Sequence, residues 1–434
     1  MSTRSGAQAR STRTRIAAVA ALALVVCAVA ARPCFAFSVL AHQAIVDRSW
    51  EGAIVPALRE RFPDASAEDI QRARAFAYGG SHVPDLGYFP FGSRLFTDLV
   101  HYVRSGHFVS ALLRDANDVD EYAFALGVAS HYVADTVGHP EATNRVVPEL
   151  YPDLREEHGD TVTYADDHSS HIQTEFRFDV FQLSQSRQAP DLYRHAIAFE
   201  VSEPVLDRAF RETYGLGLDD VFASTKVAIA TYRWGFRELL HEATGIAWEL
   251  YESDIHRVDP TATSEQFVSD MSRADFEKEF GKTYREPGYF AKFFALLVKV
   301  VPDVGPFERL PYKALPADAR GRFSAALDHA VAEYQSIVQR SRHSEVALDD
   351  RNLDTGRSTR HGEYPPADEA YAELVEKLDD HDFAQASAEV RGDVVRFYRE
   401  GEPAQATAAA EGERGEPEEV ARALARLTGP DAAD

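Results

Sequence analysis

Residues 119–140 read Val119-Asp-Glu-Tyr-Ala-Phe-Ala-Leu-Gly-Val-Ala-Ser-His131-Tyr-Val-Ala-Asp135-Thr-Val-Gly-His139-Pro140. Ala, Leu and Val dominate the stretch, so it predicts a buried helix. Pro140 marks its expected end, because the residue before a proline is pushed out of the helical region. His131, Asp135 and His139 stand at i, i+4 and i+8. Each step of four advances about 40° past a full turn, so the three share one face within about 80° of arc. A buried carboxylate needs a partner. Two imidazoles and a carboxylate suit zinc. A hydrogen-bonded His–Asp cluster in a core is the alternative that this helix alone leaves open.

A second pair narrows the choice. In Asp167-His-Ser-Ser-His171-Ile-Gln-Thr-Glu175, His171 and Glu175 repeat the i, i+4 spacing on another predicted helix. The five residues exceed what one tetrahedral zinc needs, which implies a multinuclear site.

The rest of the chain bounds the setting. At 434 residues it can bury a large core. Residues 1–36 are a different material: Arg4, Arg10, Arg13 and Arg15 precede an apolar run from Ile16 to Ala31, and Cys34-Phe35-Ala36 offers a cleavage site. This reads as a secretory signal peptide, with Phe37 as the new terminus. The alternative, an uncleaved anchor, has a run that is short for a membrane span. Cys27 and Cys34 both fall in this segment, so the mature chain has no thiolate to offer. Any zinc site must use His, Asp, Glu and backbone groups. The formal charge is −24, and loss of the segment's five arginines takes it to −29. Such a chain repels polyanions at long range, so no stable nucleic-acid complex is expected.

Helical periodicity recurs along the chain and no alternating strand is found, so the class is all-α. Ser66-Ala-Glu-Asp69 opens a helix with an approximate capping box. Tyr78-Gly-Gly-Ser-His-Val-Pro-Asp85 reads as a turn-rich loop, and the aromatic stretch Tyr88 to Phe96 as either a ligand pocket or ordinary packing. Helices are expected near 189–199, 264–280 and 289–301. The last is too short to span a bilayer and is read as a core helix in preference to a membrane-docking one. Pro260-Thr-Ala-Thr-Ser marks a boundary, 346–368 a loop, and 401–434 an acidic tail, disordered or one loose helix. The expected division is a signal peptide at 1–36, a catalytic unit at 37–260, a C-terminal helical region at 261–400, and the tail.

In chain order the potential ligands are Phe37, His42, Asp85, His101, His131, Asp135, His139, His171 and Glu175. This ordered set resembles the zinc-dependent phospholipase C superfamily. That group is similar to the single-strand-specific zinc nucleases and contains the catalytic domain of glycosylphosphatidylinositol-specific phospholipase D. The resemblance implies an all-α bundle with three zinc ions between helices. It implies that Asp85, His101, His131 and Asp135 hold one ion and that His139, His171 and Glu175 hold a second. The amino nitrogen and carbonyl of Phe37, with His42 and a shared Asp135, would hold the third. It further implies a phosphodiesterase, with Asp85 orienting water or acting as general base. Two positions depart from the pattern: Phe37 stands where tryptophan is usual, and the Asp135-to-His139 interval is short, more like the phospholipase D branch.

The reading is therefore a secreted or periplasmic zinc phosphodiesterase acting on phospholipid, with possible peripheral contact at a membrane surface. A single-strand nuclease and a non-catalytic zinc-core protein are the alternatives. His82, His107 and His168 are expected near the ligands but not among them. Asp98 is expected either to orient His101 or to lie exposed at a helix start.

Overall fold

The computed structural model describes residues 39–185, 199–264, 314–343, 346–400 and 416–427. The expected signal segment, Phe37, most of 189–199 and 264–280, and all of 289–301 lie outside the described residues. Those described form helices and loops, with no strand among them.

In chain order the helices are α1 (Val39–Ser49), α2 (Val55–Arg61), α3 (Ala67–His82), α4 (Arg94–Tyr102), α5 (Ser105–Asp115) and α6 (Val119–Gly138). Then follow α7 (Asn144–Leu150), α8 (Pro152–His158), α9 (His168–Gln185), α10 (Glu203–Tyr214), α11 (Leu218–Val221) and α12 (Thr225–Val258). Beyond the next undescribed stretch come α13 (Ala317–Ser341), α14 (Pro365–Asp380), α15 (Ala388–Glu400) and α16 (Glu416–Leu427).

Helix α6 is the axis. It is apolar on nearly every side, as a helix surrounded by others must be, and it packs against α3, α13, α5 and α1. Its start is capped by Asp118, whose side chain accepts from Glu121 N at 2.8 Å. The crossing with α3 is the closest constraint. A Cβ on Gly80 would sit 2.0 Å from Phe124 O, and one on Gly127 would sit 2.1 Å from Ala77 O. Only glycine permits the two backbones to approach so nearly.

That crossing corrects the sequence reading of 78–85. Gly79 and Gly80 do not break the chain there; α3 continues to His82, and a 3-10 turn, Val83–Tyr88, carries Asp85. The capping box at Ser66 is present, with Asp69 N on Ser66 Oγ at 3.1 Å and Ser66 N on Asp69 Oδ2 at 2.9 Å. Pro140 does not end the helical path either. A π turn, His139–Thr143, absorbs the missing N–H and leads straight into α7.

The loop at 346–364 is bound tightly to the central helices. Tyr132 Oη donates to Asp349 O at 2.7 Å, Leu353 N to His101 O at 3.0 Å, and Thr359 Oγ1 to Tyr102 O at 2.8 Å. In the expected tail, Glu416–Leu427 forms an amphipathic helix with Val420, Ala423 and Leu427 buried against α14. Its apolar stripe, at spacings of three and four, had a partner to cover.

Candidate metal centre

His42 comes from α1, Asp85 from the 3-10 turn after α3, and His101 from the end of α4. His131 and Asp135 come from α6, His139 from the π turn that follows it, and His171 and Glu175 from α9. All eight are buried, Asp135 and Glu175 completely. Phe37, the ninth expected ligand, lies outside the described residues.

The carboxylate of Asp135 is the hub. Its Oδ2 is 3.0 Å from His131 Nε2 and 3.5 Å from His101 Nε2. Its Oδ1 is 3.0 Å from His42 Nε2 and 3.7 Å from His139 Nε2. Asp85 Oδ1 lies 3.5 Å from His101 Nε2. On the other side, Glu175 Oε1 is 3.3 Å from His139 Nε2 and 3.1 Å from His171 Nδ1.

The protons on two of these rings can be placed from their partners. His131 Nδ1 faces Ser81 O at 3.0 Å, and His101 Nδ1 faces Thr97 O at 2.8 Å. A carbonyl only accepts, so both Nδ1 atoms carry hydrogen and both neutral rings present a lone pair at Nε2. Those lone pairs face each other at 3.2 Å. Asp135 Oδ2 lies beside both nitrogens and Asp85 Oδ1 beside that of His101, so four potential metal ligands crowd together. Zinc bonds of about 2.0–2.1 Å in a tetrahedron give ligand–ligand edges of about 3.3 Å, close to these four contacts.

Burial sharpens the point. Asp85 Oδ1, Asp135 Oδ2 and both oxygens of Glu175 are buried without a hydrogen bond of acceptable geometry. A charged group left so costs several kcal/mol unless a cation serves it. Proton affinities tell the same story. Burial opposes a charge on His101, but Asp135 and Asp85 outweigh it and push the imidazole up to about 10. Burial likewise opposes a charge on His171, yet Glu175 and Asp354 raise it to about 9. Burial favours a neutral Asp135, while His131, His139 and His101 hold it well below the usual carboxylate range. The donors seek positive charge, and a metal ion supplies it by displacing those protons. Among the described residues, three groups bring one potential ligand atom each within 4.8 Å of the others: His42, His131 and Asp135; Asp85, His101 and His131; and His139, His171 and Asp354.

Residues 41–224 match the family model described as zinc dependent phospholipase C. These residues are a zinc-dependent phospholipase C family domain. No curated protein and no solved structure matches the chain. Every expected ligand except Phe37 falls inside the phospholipase C domain. Zinc dependence and hydrolysis are the properties of the family.

One residue of the cluster was not foreseen. Asp354, far beyond the phospholipase C domain, is 2% exposed and stands 3.3 Å from His139 Nδ1 and 3.4 Å from His171 Nε2. It sits in a stretch read as loop, Asn352-Leu-Asp-Thr-Gly, and no helical spacing marks it. Asp98 does not orient His101, whose Nδ1 is taken by Thr97 O; Asp98 pairs with Arg94 at 3.1 Å. His107 pairs with Asp350 at 2.7 Å on the surface, and His168 lies on Tyr164. His82 is buried in a cage of Phe199, Tyr232 and Phe236, where burial together with His42 and His131 holds it well below its ordinary value. In the aromatic stretch, Phe89 and Phe96 pack into the core against Tyr232 and Phe210, while Tyr88 lies edge-on to His101.

Proposed function

We propose that the protein is an exported phosphodiester hydrolase that acts on phospholipids as a phospholipase C, with three zinc ions as its full complement. The supporting observation is the convergence of Asp85 Oδ1, His101 Nε2, His131 Nε2 and Asp135 Oδ2, linked by four contacts of 3.0–3.5 Å. These four residues would hold one ion, and His139, His171 and Glu175 a second. His42 and Asp135, completed by the amine and carbonyl of Phe37, would hold the third.

When bound, zinc lowers the pKa of water toward about 7 and draws charge from a phosphoryl oxygen. The chain's own part is positional. The carbonyls of Ser81 and Thr97 fix His131 and His101, so neither ring must turn when a ligand arrives. Asp85 would orient water or take its proton. Tyr88 and Tyr164, 6.2 Å apart, stand edge-on to His101 and His171.

Charge argues for the third ion. Asp85, Asp135, Glu175 and Asp354 bring four negative charges, which two divalent ions only neutralise. A third makes the site cationic inside a chain of formal charge −24 and fit for an anionic phosphodiester. Export to a secreted or periplasmic location, and peripheral contact with a membrane surface, belong to the same proposal.

The test uses the chain beginning at Phe37, supplied with zinc. Turnover of a chromogenic phosphocholine ester, with single-stranded DNA left intact, is the expected result. Cleavage of DNA alone would replace the proposal with a nuclease. Full zinc occupancy without turnover of either, or of other phosphodiesters, would leave a non-catalytic zinc core.

A further inference from the structure

The His139 and His171 rings are held between two carboxylates. Glu175 Oε1 faces His139 Nε2 and His171 Nδ1, and Asp354 Oδ1 faces the opposite nitrogens, His139 Nδ1 and His171 Nε2. A metal ion can occupy one side of this pair only; the other nitrogens must then carry hydrogen.

Asn144 decides which side. Its Nδ2 donates to Asp354 O at 2.8 Å, so its Oδ1 is the atom that faces His171 Nε2 at 2.9 Å. An amide oxygen only accepts, so His171 carries its proton on Nε2 and points the Nδ1 lone pair at Glu175. The reverse arrangement would set Asn144 Oδ1 against the carbonyl of Asp354, two acceptors at hydrogen-bond distance. Asp354 itself is held on its far side: Oδ2 accepts from Tyr164 N at 3.0 Å and from Tyr364 Oη at 2.7 Å.

We propose that Asp354 is the positioning carboxylate of the His139/His171 half of the centre, turning both rings toward Glu175 without ligating the metal itself. It lies outside the matched 41–224, so the loop at 346–364 supplies part of what fixes the site. The inference rests on the zinc reading of the centre.

The experiment compares zinc affinity and stoichiometry, by chelator competition, for wild type, Asp354→Asn and Glu175→Gln. Visible absorption of the cobalt-substituted forms serves as a second readout. Asp354→Asn is expected to weaken one ion by about 10–100-fold and to leave the Asp85/His101/His131 ion unchanged. Glu175→Gln is expected to lose that same ion outright. Equal weakening of both ions by Asp354→Asn would indicate only a structural role and overturn the proposal, as would unchanged affinity. Retention of the ion in Glu175→Gln would make Asp354 the ligand and overturn it too, and this arm decides even if Asp354→Asn does not fold. Absence of zinc from wild type would instead sink the zinc reading.

Discussion

A single carboxylate, Asp135, stands between the two halves of the centre. Its Oδ2 serves His101 and His131, and its Oδ1 serves His42 and His139. Among the described residues, Glu175 reaches only His139 and His171. Asp135→Asn should therefore release more zinc per chain than Glu175→Gln, as measured by elemental analysis after gel filtration. Equal losses would contradict the shared position. Asp135 was readable from the sequence because helical spacing fixes which side chains share a face. His42, Asp85 and His101 were readable only as members of an ordered pattern, since each comes from a different element. Asp354 was not readable, because a loop residue carries no periodicity and its ring partners, His139 and His171, lie in helical segments far back in the chain.

At the scale of elements, the centre depends on how closely α3 and α6 cross. The Gly80–Gly127 contact brings the end of α3 against α6, and this places Ser81 O on His131 Nδ1. Gly127→Ala would put a methyl group 2.1 Å from Ala77 O, which is backbone and cannot rotate away. The helices must separate, at a cost of roughly 1–3 kcal/mol from overpacking. The expected outcome is a lower melting temperature together with weaker zinc binding, because His131 loses the carbonyl that orients it. A drop in stability with zinc affinity unchanged would show that the crossing does not hold the ligand. From the sequence Gly79-Gly80 read as a turn, since glycine serves tight turns and tight helix crossings equally. Pro140 misled in the same way: a π turn keeps the chain helical past a residue that usually stops it.

In the whole molecule, the ligands are drawn from α1, α4, α6 and α9 and from connecting turns, and the loop at 346–364 closes over them. Ions binding to such a scattered set link distant parts of the chain, so metal occupancy and folding are thermodynamically coupled. The all-α class followed from periodicity alone, whereas the docking of residues beyond 314 on the central helices did not, because apolar faces say that they are buried but not against what. The most direct measurement is zinc per chain on the protein beginning at Phe37, with its melting temperature taken before and after removal of the metal by a strong chelator. Three ions per chain and a melting temperature that falls by at least several degrees on stripping are expected. A chain purified without zinc, unable to take it up, and melting at the same temperature with or without chelator would contradict the metal centre.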